Sequence, residues 1–123
     1  MTEQERRQFT RIPYQAKALV EQSGNKYAGR VLDLSLNGVL IELSALLNRQ
    51  DEVVVHIVVD DMTPAITMHT IVVHHVRNHY GLQCHEIDID SMLQLRAIIG
   101  IHNDDPNAFR RESRALWELK IKN

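Results

Sequence analysis

The stretch Val31-Leu32-Asp33-Leu34-Ser35-Leu36-Asn37-Gly38-Val39-Leu40-Ile41 decides the fold. Asn-Gly between two apolar runs is a strong short-range hairpin signal, because both residues tolerate positive φ. Strand alternation puts Leu32, Leu34 and Leu36 on one face, which reads as core. Val31, Asp33 and Ser35 fall on the other. That second face turns polar just before the turn, where a carboxylate can accept two N–H bonds and a hydroxyl can bond phosphate or sugar. Gly38 lets another backbone approach closely. Asp, Ser, Asn and Gly are also ordinary turn residues, so this segment alone reads equally well as a plain hairpin.

Working outward, short apolar runs alternate with turn residues. Gln15–Gln22 reads as a strand ended by Ser23-Gly24-Asn25, followed by strands at Lys26–Ser35 and Val39–Leu43. Glu52–Val59 and Thr67–Val76 are rich in β-branched residues and flank the turn-like Asp60-Asp61-Met62-Thr63-Pro64, and His79–Ile87 completes six strands. That number suits a small barrel or sandwich. The pattern then becomes helical. Ser91 can cap a helix, with Gln94 in capping-box spacing, and Met92, Leu95 and Ile99 recur on one face, widened by Leu93 and Ile98. Asp105-Pro106 opens a second helical segment to Lys122, with Phe109, Leu116 and Leu119 on one face and Trp117 and Ile121 beside them. The expected organisation is a basic arm over 1–13, a β-barrel core over 14–88 and C-terminal helices over 89–123.

The chain has 123 residues, enough for one domain with one core. With 44% hydrophobic and 24% charged residues it is a globular protein, not a disordered one. A net charge of −2 argues against a general nucleic-acid binder. A lone cysteine, Cys84, makes no internal disulfide, so nothing points to secretion. The N-terminal MTEQERRQFTR lacks the apolar stretch of a signal peptide, and no run approaches a membrane span. A cytoplasmic protein without membrane insertion is the expectation.

The basic residues are unevenly spread. Arg6, Arg7 and Arg11 crowd the N-terminal arm. Arg7 and Arg11 are four apart, which puts both on one side of either an extended or a helical arm. Guanidinium forks match phosphate oxygens and the O6/N7 edge of guanine. Alone, such a run is most often a solvated terminus. A carboxylate at Asp33 complements the arm, since it can accept both N–H donors of a guanine Watson–Crick edge.

The ordered pair of motifs, Arg-x-x-x-Arg at 7–11 and Asp-x-Ser-x-x-Gly at 33–38, resembles the PilZ domain family of bacterial receptors for cyclic di-GMP. The resemblance covers about residues 6–100. It implies a mainly β fold, a six-stranded antiparallel barrel with C-terminal helices, in a stand-alone member. It also implies that Arg7 and Arg11, supplemented by Arg6, bind guanine edges and phosphates as the arm folds over the ligand. Asp33 and Ser35 would receive a base, and Gly38 would shape the turn. Some members carry a bulky aromatic on the fifth strand, and the corresponding place here is His75, with Arg77 two residues on. The implied function is a non-enzymatic receptor that relays ligand binding, through a conformational change of the C-terminal helix, to a downstream protein partner. The alternatives are a family adaptor that no longer binds nucleotide and a small barrel that uses its arm on nucleic acid. Low aromatic content, 5%, speaks against the latter.

Other chemistry is weaker. Seven histidines could suggest zinc, but His74 and His75 alternate across a strand and no ligand spacing is recognisable. Ser35 lacks the Gly-x-Ser-x-Gly elbow of a hydrolase. Asp88-Ile89-Asp90 lacks calcium-loop spacing and marks a helix entry. No metal, no cofactor and no catalytic residue are expected.

Overall fold

A computed structural model describes residues 10–60, 64–102 and 121–122. Six strands, β1 Ile12–Gln22, β2 Asn25–Ser35, β3 Gly38–Glu42, β4 Val53–Val58, β5 Pro64–Val76 and β6 His79–Asp88, are followed by helix α1, Ile89–His102. A two-residue strand, β7 Ile121–Lys122, ends the chain's described part. The sheet runs β3-β2-β1-β4-β5-β6-β7, and β3 also pairs antiparallel with β6, so the first six strands close into a barrel. β7 joins in parallel, pairing Ile121 with Ile87 and Lys122 with Asp88. The helical reading of the C-terminal segment is therefore corrected at its last two residues, and its remainder lies outside the described residues.

Each strand sends alternate apolar side chains inward. Val20, Val31, Leu34, Ile41, Val53, Val55, Ile57, Ile66, Met68, Leu82 and Ile87 fill the barrel, and Met92, Leu95 and Ile99 of α1 join the same core. Tyr80 is buried, and its hydroxyl accepts from the Leu47 N–H and donates to the Ala45 carbonyl, both at 3.1 Å. Gln22, also buried, ties β1 to the β3–β4 connection: its Nε2 donates to the carbonyls of Asn48 (2.9 Å) and Asp51 (3.0 Å), and its Oε1 accepts from the Asn48 N–H (3.0 Å).

Several local expectations are revised. β1 begins at Ile12, which is buried opposite Leu34, so the last residues assigned to the arm belong to the barrel. The β2–β3 turn is Leu36-Asn37, with Ser35 paired to Gly38, and neither Asn37 nor Gly38 has positive φ. Gly38 is needed for proximity: a Cβ there would collide with the Leu82 carbonyl oxygen. The helix cap is Asp88 in place of Ser91, because the Asp88 carboxylate accepts the Ser91 N–H at 3.0 Å. The Ser91 hydroxyl instead accepts the Thr67 N–H at 2.9 Å, fastening α1 to β5. Leu93, placed on the packed face by its spacing, is 49% exposed.

A methyl group at Gly38 has to push apart two hydrogen-bonded strands at the barrel's closure. Gly38→Ala is expected to destabilise by about 1–3 kcal/mol, the usual range for overpacking. Urea unfolding checks this, and an unchanged midpoint would show that the β3–β6 seam yields freely.

Candidate functional site

Two β-bulges shape the polar end of the barrel. In β2, Val31 pairs with Ile41 and Asp33 with Leu40, so Leu32 is the extra residue. The bulge reverses the strand's phase: Val31 points into the core before it, Leu34 after it. Leu32, expected in the core, is only half-buried, and Val31 does not share the Asp33 face. Asp33 and Ser35 remain together on the outer face. In β5, Val72 pairs with Leu82 and His74 with Gly81, which makes Val73 the extra residue. Past that point His74 faces outward and His75 inward.

These elements line an open cleft of about 470 Å³. Arg11, Asp33, Ser35 and Gly38 border it from one side, and His74 and His79 from the other. The register Ile12↔Leu34 and Pro13↔Asp33 delivers Arg11 to this end of β2. Burial pushes the Asp33 carboxyl above its ordinary value, and the Arg11 guanidinium offsets part of that rise. Among the described residues, no hydrogen-bond donor holds the Asp33 carboxylate.

Ser35 is 8% exposed, and the turn occupies its hydroxyl. The Oγ accepts from the Asn37 N–H at 3.1 Å and donates to the Gly38 carbonyl at 3.5 Å. The Asn37 carbonyl accepts the Cys84 N–H at 2.8 Å, which ties the turn to β6. Gly81 opens room in front of His74: a Cβ at Gly81 would stand 3.1 Å from the His74 Cβ.

Of the residues nominated from sequence, Arg11, Asp33, Ser35 and Gly38 are brought together. Arg6 and Arg7 lie outside the described residues. His75 and Arg77 do not line the cleft. The His75 ring stacks on Tyr80 at 4.0 Å between centroids and 10° between planes, and its Nε2 bonds the Arg77 carbonyl at 2.6 Å. Arg77 sits exposed in the tight β5–β6 turn with φ 55°. Sequence reasoning missed the cleft-lining His79 and, next to the nominated His75, His74. Strand alternation alone could not identify His74, because one bulged residue exchanges the two faces.

Three further histidines pair with glutamates on the outer wall. Glu52 bridges His69 Nδ1 at 3.0 Å and His85 Nε2 at 2.8 Å. His56 Nε2 bonds Glu21 at 2.7 Å. Among the described residues no group of three or more His, Cys, Asp or Glu is arranged to hold a metal ion, and no helix is long and apolar enough to cross a membrane.

Comparison with known proteins agrees with this architecture. No curated protein sequence matches the chain. Among solved structures, the crystal structure of the PilZ domain of CeSA from a cellulose-synthesizing bacterium superposes with a TM-score of 0.60 at 18% identity, covering 76% of this chain and 99% of that one. That likeness shows the fold. Residues 5–100 match the family described as PilZ domain, a span that includes the three arginines of the arm, the Asp33–Gly38 turn and the whole barrel. This chain belongs to the PilZ domain family.

Proposed function

We propose that this protein is a receptor for cyclic di-GMP, the ligand of PilZ domains generally, and that it performs no reaction of its own. The observation that carries the proposal is Asp33. A carboxyl group is held half-buried, pushed above its ordinary pKa by burial, with the nearby Arg11 as its electrostatic support and no hydrogen-bond donor among the described residues. A guanine Watson–Crick edge supplies two N–H donors suited to that carboxylate. Arg11 lies where a guanidinium can take a phosphate or the guanine O6/N7 edge. Arg6 and Arg7 would follow as the arm closes, and their charge-assisted hydrogen bonds would offset its lost conformational freedom.

Ser35 and Gly38 act in this reading mainly by shape. The Ser35 hydroxyl fixes the turn that aims Asp33, and Gly38 lets the turn lie against β6. His74 takes the flanking position earlier assigned to His75. The loaded domain would then signal to a protein partner, because burying arginines beside ligand phosphates changes the local surface sharply. A second reading draws on the inward turn of His75: a family adaptor that works through protein contacts without nucleotide.

Calorimetric titration with cyclic di-GMP separates the two readings. Wild type is expected to bind, and Arg11→Ala and Asp33→Ala each to weaken binding by at least tenfold. Absence of heat from folded wild type would leave the adaptor reading standing. His74→Ala is expected to weaken binding more than His75→Ala. The latter should instead lower the thermal midpoint, since it removes the ring stacked on Tyr80.

The Asp33 pKa gives a sign to its linkage. A carboxyl whose folded pKa is raised favours folding below its unfolded pKa, and that contribution is lost as pH rises through the folded value. Above its folded pKa, ionised Asp33 therefore weakens the free barrel. Asp33→Asn is expected to leave the thermal midpoint unchanged or higher while removing ligand binding. Affinity for cyclic di-GMP should fall on acidification at a pH above that of an ordinary aspartate, and titrations across the acidic range check this. A large stability loss in Asp33→Asn would mean that the carboxylate serves the fold.

A further inference from the structure

Helix α1 is apolar on two opposite faces. Met92, Leu95, Ile98 and Ile99 are buried against the barrel. On the other side Leu93 is 49% exposed and Ile101 81% exposed, with exposed Ala97 midway between them at four-residue spacing. A helix that is apolar on both sides generally has a partner on both, and this second stripe lies away from the ligand cleft's lining residues.

The ends of the chain's remaining segment say what covers it. The chain leaves α1 at His102 and returns at Ile121, which pairs with Ile87 just before α1 begins. The described ends of this segment therefore lie at opposite ends of α1. At 1.5 Å per residue α1 is about 21 Å long, a distance that a helix of similar length running antiparallel covers in one pass. The sequence provides one: Asp105-Pro106 opens it, and Phe109, Leu116 and Leu119, with Trp117 beside them, form its apolar side.

We propose that the Leu93–Ala97–Ile101 stripe is a docking surface for residues 106–119 of the same chain. In that antiparallel arrangement Phe109 comes level with Ile101, and Leu116 and Trp117 come level with Leu93. Arg110, Arg111 and Arg114 are left to face water or a partner. The barrel is then covered at this end by a helical hairpin whose outer member is held chiefly by one apolar seam.

Trp117 is the chain's single tryptophan, so its fluorescence in the full-length protein reads the seam directly. The expected result is blue-shifted emission with weak acrylamide quenching, constant over a wide range of protein concentration. Leu93→Glu and Ile101→Glu should each shift the emission red and raise quenching severalfold, with the barrel intact by circular dichroism. Leu46→Glu, an equally exposed apolar site in the β3–β4 connection beside Tyr80, should change neither. Water-exposed Trp117 in wild type would overturn the proposal. So would burial that disappears on dilution, which would assign the stripe to a second copy of the chain, or emission unmoved by both α1 substitutions.

Discussion

The structure depends on the hydrogen-bonded seam between β3 and β6, and that seam depends on the missing side chain of Gly38. A six-stranded sheet of this size has to close to bury its inner face, and closure brings the β2–β3 turn against β6. The Asn37 carbonyl and the Cys84 N–H complete the junction at 2.8 Å. The same turn carries Asp33 and Ser35 at its mouth. Barrel closure and the shape of the cleft therefore rest on one short loop, and a change that loosens the first also displaces the second.

Much of this was legible in the sequence. The β-branched runs and turn residues locate all six barrel strands to within a few residues. Asp33, Ser35, Gly38 and Arg11 converge because strand pairing joins the end of β2 to the start of β1. What was not legible came from bulges. Nothing in Val72-Val73-His74-His75 announces that Val73 is the residue without a partner, yet that single insertion sends His74 into the cleft and His75 onto Tyr80. Leu32 is the same case in β2. The helix start was misread for a different reason: Ser91 and Asp88 are both capping residue types, and only the N–H positions choose between them. Gly38 was picked for two reasons, of which close approach to β6 holds and tolerance of positive φ plays no part.

The electrostatics divide the surface into two kinds of carboxylate. Asp88 shows the ordinary kind. Burial raises its carboxyl, but the Ser91 hydroxyl and backbone hydrogen bonds outweigh this and hold it below the usual value. Glu21 and Glu52 are likewise lowered, first by hydrogen bonds from His56 and His69. These groups are ionised in partnership and serve the fold above their unfolded pKa. Asp33 alone among them is shifted upward. A group that the folded chain leaves under-compensated marks a place where an external donor gains the most.

The parallel pairing of β7 with the end of β6 has a consequence for how the molecule behaves in a crowd of its own kind. β3 matches β6 only over His79–Gln83, while β6 continues to Asp88. Beyond that point one side of β6 would present unpaired main-chain donors and acceptors, the template by which exposed strands recruit one another. Ile121 and Lys122 occupy part of that edge. Without Ile121 and Lys122, that part of the β6 edge would lie open as such a template.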